Sequence, residues 1–410
     1  MATVFFVVLI DLLGFGIILP LMPFFASRFN ASAITIGLLY SVYSFAQLIF
    51  SPLWGRWSDR VGRRPVMLIS TFGSFLAYLV FGFSNSIGLL FFSRLLAGVM
   101  GGNISAAQAY ITDVTPAHER SKGMALIGAA FGIGFMIGPM LATFLVHSGF
   151  YKFLDALGLQ TLALFAREHS FALPGFFAAM LSGTSFLMVL FLLPESIHHA
   201  DRDADRITRA GIFSKTFWSE IFEQSRRADR PTLFFLLYGI FLLSFAQASL
   251  YSAFPLFCKR QLSLSADQVG MQFAAMGMVA IFVQGYLIRK LLKNNSDTKL
   301  FAVGSVLMTA GLVLLPFAPS AKILALFLCL MAVGSSLNGP TLNSLISKEA
   351  PKGHVGALLG ASQGLAALGR TIGPTWGGAL FAIHARAPFL VTALFVSSSI
   401  WISAKLLRSK

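Results

Sequence analysis

Twelve stretches of this chain are so long and so apolar that each has to be a membrane-crossing helix. They fall at about 3–27, 34–54, 65–84, 86–111, 121–147 and 171–193, and again at 232–258, 268–288, 298–318, 321–346, 355–384 and 386–407. A helix needs about 20 apolar residues to cross a hydrocarbon layer. Twelve of them with short connections use up the 410 residues and leave no room for a sizeable soluble domain. Only 11% of the residues are charged and 56% are hydrophobic, whereas a soluble domain carries about a quarter charged residues. Lipid is therefore the solvent for most of the chain. The net charge of +15 would suggest nucleic acid in a soluble protein, but here it reads as a topology signal.

The one long polar stretch, 194–231, separates two sets of six runs. The expected organisation is a six-helix bundle over 1–193, a cytoplasmic linker over 194–231 with a surface helix near 213–225, and a second six-helix bundle over 232–410. The first apolar run starts almost at Met1 and is long enough to span, so no cleavable signal peptide is expected. Cys258 and Cys329 lie in different runs at different depths, and a bridge between them is not expected. With the N-terminus in the cytoplasm, the inside segments hold 22 Lys and Arg against 7 outside. The positive-inside rule then places both termini in the cytoplasm.

The two sets repeat. Adding 235 to a position recovers the same residue many times: Pro20 gives Pro255, Asn103 gives Asn338, and Gly134, Gly138 and Pro139 give Gly369, Gly373 and Pro374. A fixed offset across several spans points to duplication, and transporters built this way bind substrate near mid-membrane where the repeats meet.

An ionisable group inside a span costs about 2.5–3.5 kcal/mol on insertion scales, so each one asks for a reason. Asp11 lies about 12 Å into the first span at 1.5 Å per residue and is the only acid within the apolar runs. Arg94 lies about as far into the fourth span from the opposite face, so the two can meet near mid-depth. Burial favours the neutral form of a carboxyl and a nearby cation favours the charged form. A carboxylate whose partner moves away can thus load and release a proton, and a fixed structural ion pair is the competing reading. Arg370 in the eleventh span is a weaker candidate, since its repeat position is Phe135. Among the uncharged polar residues, Gln247 and Asn338 rank highest for substrate contact, ahead of Gln284 and Asn103. Gln47, Gln108, Asn343 and Gln363 complete that set, for any of which helix-to-helix hydrogen bonding is the commoner role.

The segment Gly55-Arg56-Trp57-Ser58-Asp59-Arg60-Val61-Gly62-Arg63-Arg64-Pro65 reads as a short loop whose glycines permit a tight turn. Pro65 suits the start of a helix, and Asp59 among arginines suits a charge cluster. A positive anchor alone would explain the arginines but neither Asp59 nor the glycines. In the fifth span Gly134, Gly138 and Pro139 suit close helix packing and a bend, and Gly373 and Pro374 repeat them. The spans contain no His pair and no metal-ligand cluster, so neither a metal site nor an enzyme activity is expected.

At these residues the sequence resembles the major facilitator superfamily, and in particular the twelve-helix, tetracycline-efflux-like drug–proton antiporters. The loop matches the family's G-x-x-x-D-R-x-G-R-R pattern at every specified position. The resemblance implies a cytoplasmic gate formed by Gly55, Asp59, Arg60, Gly62, Arg63 and Arg64 with Asp113 of YITDVTP. It implies that Arg94, with Gly98 and Gly102, takes part in proton coupling. Asp11, in DLLGFGIILPLMP, matches the acid-and-glycine pattern of the first span, and Leu193-Pro194-Glu195-Ser196 resembles the end of the sixth. The fifth-span pattern G-P-x-x-G-G departs, since Ala142 and Thr143 follow Gly138-Pro139; Gly373 to Gly378 fits it better. Segment 148–170 is longer than the family's usual external loop, and its apolar stretch 157–166 suits a membrane surface.

The expectation is an all-α polytopic membrane protein of twelve helices in two pseudo-two-fold-related bundles. It would export a small amphipathic molecule by proton-coupled alternating access, with no cofactor beyond the proton. The competing expectation is a facilitator or proton symporter importing a nutrient on the same fold. The partners would be a small-molecule substrate and the bilayer of a plasma or inner membrane, with no nucleic acid and a monomer as the working unit. Single cysteines at Ser58 and Ser148 of a Cys-free variant should react with an impermeant thiol reagent from opposite sides of the membrane. Reaction of both from one side would refute the twelve-span topology.

Overall fold

The computed structural model describes residues 2–101, 103–115, 120–168, 171–196, 232–349 and 355–408. Residues 197–231, which include the expected surface helix, lie outside that set. Helix is the only regular structure among the described residues, as hydrocarbon demands, because a helix pairs its backbone groups within one segment. In chain order the helices are α1 (Ala2–Ser27), α2 (Ala33–Val61), α3 (Arg63–Gly82), α4 (Ile87–Met100), α5 (Asn103–Val114), α6 (Arg120–Val146), α7 (Ser148–Ala156), α8 (Gln160–Glu168) and α9 (Leu173–Leu192). There follow α10 (Thr232–Leu262), α11 (Ala266–Phe282), a π-helical turn (Val283–Leu287), α12 (Ile288–Asn294), α13 (Asp297–Leu314), a 3-10 turn (Leu315–Phe317), α14 (Ala321–Glu349), α15 (Val355–Ile383) and α16 (Ala387–Arg408).

Among the described residues, ten helices are long and apolar enough to cross a membrane. The fifth and eleventh apolar runs form α6, of 27 residues, and α15, of 29. Serines mark several starts: Ser32, Ser86 and Ser296 accept from the backbone N–H three residues on, at 3.1, 3.3 and 3.3 Å, the usual N-cap arrangement. Phe45, Phe72, Phe92 and Phe191 stay exposed, as expected of side chains that face lipid.

The chain divides into two compact units. The first gathers the described residues of Met1–Arg206 with Cys258–Gly277, and the second those of Ile207–Phe257 with Met278–Lys410. In the first unit α1 packs mainly against α6 and α9, α3 against α9 and α4, and α2 against α4. The segment from Cys258 joins it through Lys259, 5.7 Å over the ring of Phe24, and Asp267, 3.9 Å from His147. In the second unit α13 packs against α14 and α16.

Two features carry the first unit. The α1–α6 crossing brings backbones together: a Cβ added at Gly138 would lie 2.6 Å from the Cα of Gly16, and one at Gly134 would lie 2.6 Å from the Cβ of Leu12. The repeat glycines do the same in the second unit, where a Cβ at Gly373 would lie 2.6 Å from the carbonyl oxygen of Phe245 on α10. Small residues at such crossings are the main device for packing helices in lipid, where no hydrophobic force drives them together.

The second feature is the turn at Gly101 that ends α4, inside the fourth run, which stands as one candidate span over Ile87–Ile111. The carbonyls released at the end of α4 are taken by side chains of α2 and α3. Trp54 donates to Val99 at 2.5 Å, Gln47 donates to Gly101 at 3.1 Å, and Ser70 donates to Met100. Gln47 thus links α2 to the turn that ends α4.

Gly138→Ala should lower stability by about 1–3 kcal/mol, the usual range for overpacking, because the clash is with backbone. Gly88 has nothing within 4 Å of its added Cβ. Gly88→Ala should be neutral or stabilise by up to about 1 kcal/mol, the helix-propensity difference. Thermal unfolding in detergent compares the two; equal melting temperatures would refute the close crossing.

Candidate functional site

Among the described residues of the first unit, the most deeply buried charge is Arg94, on α4 and 2% exposed. Its guanidinium lies 4.9 Å from the ring centroid of Phe81 and 5.7 Å from that of Tyr78, and it donates to Ser93 Oγ at 3.1 Å. Ser93 in turn donates to the carbonyl of Ala77 at 2.9 Å. Arginine tolerates such a site because its flat, weakly hydrated cation stacks on aromatic faces. It also lines a small cavity with Phe15, Leu19, Met22, Tyr40 and Tyr43, with space for about one water.

Asp11 lies half-buried on α1 in the same unit. The ring of Tyr78 on α3 lies 5.7 Å from the Arg94 guanidinium, and its hydroxyl faces the helix that carries Asp11. The Tyr78 hydroxyl would lie 2.8 Å from a Cβ added at Gly14, one turn beyond Asp11. Sequence reading missed Tyr78, since nothing in a tyrosine at that position of an apolar helix marks it.

The charge cluster at the α2–α3 junction is built differently from the loop expected at Gly55–Pro65. Helix α2 runs on to Val61 and α3 begins at Arg63, so Gly62 alone makes the turn. Its φ of 119° lies in the region that favours glycine, and a Cβ there would run into the carboxylate of Glu195. That carboxylate accepts from the backbone N–H of Arg63 at 2.9 Å and of Arg64 at 3.2 Å. It thus places a negative charge on the N-terminus of α3, where the helix dipole favours it. Arg64 donates to the Leu190 carbonyl at 2.7 Å, satisfying a group in the last turn of α9.

Arg63, 7% exposed, is the hub. It pairs with Asp59 at 2.5 Å and Asp113 at 3.0 Å and donates to Ser58 Oγ at 2.6 Å. Ser58 passes the chain on to the Gly55 carbonyl at 2.7 Å, and Ser196 donates to Asp113 at 3.0 Å. Gly55 lies inside α2, and Arg60 is exposed. Ser58 is fully buried, so Arg60 is the better place for a labelling cysteine. The partners named here all belong to the first unit.

The remaining candidates are spread along the chain. Gln247 is half-buried on α10, and Gln284 is exposed in the π-helical turn. Asn338 is 3% exposed and pressed against Gly304 of α13, a place in the α13–α14 packing. Arg370 is half-buried and interacts electrostatically with Tyr251. Asn103 opens α5, and its side chain lies outside the described set.

The structure adds an acid. Asp297, the first residue of α13, is 8% exposed, accepts from Ser344 at 2.7 Å and pairs with Lys348. The 235-residue offset maps Asp113 onto Lys348 and Arg63 onto Thr298, beside Asp297. The pair therefore stands where Arg63 and Asp113 stand in the first unit, with the signs exchanged. The offset was the signal that could have found it; the expected boundary of the ninth run at 298 excluded the acid.

Comparison with known proteins agrees with this architecture. The family model described as Major Facilitator Superfamily matches residues 4–374 and 296–409. Tetracycline resistance protein, class E, of Escherichia coli is 30% identical over 371 residues, 90% of this chain and 84% of that protein. Multidrug resistance protein 2 of Bacillus subtilis (strain 168) is 27% identical over 397 residues, 95% of this chain and 91% of that one. Of solved structures, the human organic anion transporter MFSD10 (TETRAN) superposes with a TM-score of 0.68 at 24% identity, covering 98% of both chains. A bacterial homolog of the human lysosomal transporter Spinster gives 0.75 at 14% identity, covering 100% of this chain and 96% of that one. The last two show the fold. With its all-helical architecture, its multi-pass apolar helices and a family match over nearly its whole length, the chain belongs to the Major Facilitator Superfamily.

Proposed function

We propose that this transporter exports a small amphipathic molecule in exchange for protons by alternating access. Asp11 carries the proton and Arg94 sets its charge state through Tyr78. The observation that carries the reading is the place of Tyr78: its ring lies 5.7 Å from the Arg94 guanidinium, and its hydroxyl meets α1 at Gly14, one turn from Asp11. A change in the packing of α1 against α3 and α4 alters the field at Asp11 without moving either charge through lipid. Export is supported by the relatives, whose names are those of tetracycline and multidrug resistance proteins. The aromatic surroundings of Arg94 suit a flat, partly apolar solute. Gln284, a polar amide exposed within a membrane helix, is better accommodated facing a solute path than facing hydrocarbon. Both termini lie in the cytoplasm on this reading, and the Arg63 cluster forms the cytoplasmic gate.

Asp11→Asn keeps the shape and hydrogen-bonding capacity of the side chain but removes the titrating group. In proteoliposomes, pH-gradient-driven accumulation of tetracycline or of amphipathic dyes should fall to the level of protein-free vesicles. Downhill exchange should persist, since alternating access needs only the two packings. Wild-type rates of uphill transport in the mutant would exclude Asp11 as carrier and favour the facilitator.

The gate gives a second measurement. The Asp59 carboxylate is 60% exposed, and a pair this exposed contributes about 0–1 kcal/mol. Asp59→Asn should therefore shift the populations of two states severalfold at most, read as faster thiol labelling near the cytoplasmic opening. Arg63→Ala removes the buried hub from Asp59, Asp113 and Ser58 and should have the larger effect. Unchanged labelling in both variants would reduce the cluster to a topology anchor.

A further inference from the structure

Between α6 and α9 the chain inserts α7 and α8, a short helical hairpin that the transport reading does not use. It sits at the far end of α6 from the Arg63 cluster, since the 27 residues of α6 extend about 40 Å at 1.5 Å per residue. Its inner face is modest: Tyr151, Leu154, Ala163 and Ala166 are buried, with Phe150 and Leu173 against them. Its outer face carries Phe153, Leu157 and Leu164, which are 55%, 58% and 56% exposed. Two nine-residue helices have little stability of their own in water, and three large apolar side chains turned outward would weaken them further.

Two observations identify what covers that face. The hairpin is continuous with aromatic rings at the ends of the spanning helices. Phe150 meets Phe144 of α6 at 4.9 Å, and Phe165 meets Phe176 of α9 at 6.0 Å, which meets Phe83 at 4.8 Å. Phe144 and Phe83 are themselves 52% and 70% exposed at the ends of α6 and α3, a position that membrane-interface aromatics favour. The hairpin's charges also balance. Lys152 and Arg167 offset Asp155 and Glu168, and Arg167 pairs with Asp155 across the two helices. Attraction to anionic headgroups or to a charged partner is therefore not the driving force; apolar area is.

We propose that the α7–α8 hairpin lies in the membrane interface, with the Phe153, Leu157 and Leu164 face sunk among lipid acyl chains beside the ends of α3, α6 and α9. It would hold the outer ends of α6 and α9 at a fixed depth. The test uses the full chain with Cys258→Ser and Cys329→Ser, spin-labelled at single cysteines and reconstituted in phosphatidylcholine vesicles. Collision with oxygen, which partitions into lipid, is compared with collision with a water-soluble nickel chelate. The oxygen-to-nickel ratio at positions 153, 157 and 164 should be severalfold above that at 152 and 168. It should not change when part of the lipid is replaced by phosphatidylglycerol. Nickel-dominated collisions at all five positions would mean a hairpin in water and would overturn the proposal. Weak collisions with both reagents at 153, 157 and 164 would also overturn it, because a second copy or another segment would then cover the face.

Discussion

A backbone surrounded by lipid must find partners for its N–H and C=O groups inside the protein, because each unsatisfied one costs several kcal/mol, of order 2–7 by transfer measurements. Helix meets the demand along each span but not where a helix breaks or ends. Side-chain donors are used there. Trp54, Gln47 and Ser70 take the carbonyls at the end of α4, and Arg64 takes that of Leu190; inside α15, Ser252 adds a bond to the Pro374 carbonyl at 2.9 Å. Tyr40 likewise donates to Leu19 at 2.5 Å. Much of the polar content of the spans is therefore committed to backbone, which narrows the set of groups left for a substrate.

With the hydrophobic force absent between helices in lipid, close fit takes its place. The crossing of α1 and α6 at Gly16, Gly134 and Gly138 is the clearest case, and it fixes the depth and rotation of the helix that carries Asp11. On α1 the same crossing leaves Gly14 to the Tyr78 hydroxyl. Packing and the candidate site thus meet on one helix: glycines on one side hold it, and the Tyr78 phenol lies against the other, within 5.7 Å of the Arg94 guanidinium.

The two units show one ion-pair position used with opposite signs. In the first, a buried Arg63 at the start of α3 meets Asp113 from α5; in the second, a buried Asp297 at the start of α13 meets Lys348 from α14. The buried partner differs, but each pair ties the start of one helix to the end of the next span. Arg63 has a second carboxylate in Asp59 and a helix-start carboxylate, Glu195, close by, so its burial is compensated several times over. Breaking a buried pair by deleting one member is the costly change, and in both units that member sits at the helix N-terminus.

The apolar spans and the family were legible from the sequence, because apolar runs long enough to cross a bilayer and a glycine-and-arginine pattern of fixed spacing depend on local order alone. Asp11 and Arg94 stood out because a charge in an apolar run needs a reason wherever the helix lies, and the Arg63 cluster because its glycines and Asp59 exceed what a positive anchor requires. What sits between such charges depends on which helices touch, and no periodicity records that. Tyr78 against Arg94 and α1, Glu195 capping α3 from 132 residues away, and Asn338 pressed on Gly304 were all decided by tertiary contact. The turn at Gly101 and the single-residue turn at Gly62 were hidden for a related reason: side chains distant in the chain hold both, donors onto the carbonyls that end α4 and the Glu195 carboxylate on the N–H groups that begin α3. The sequence by itself determined which segments enter the membrane and which charges had to be explained. Only packing decided what each charge faces, because side-chain partners in a bundle come from helices far apart in the chain.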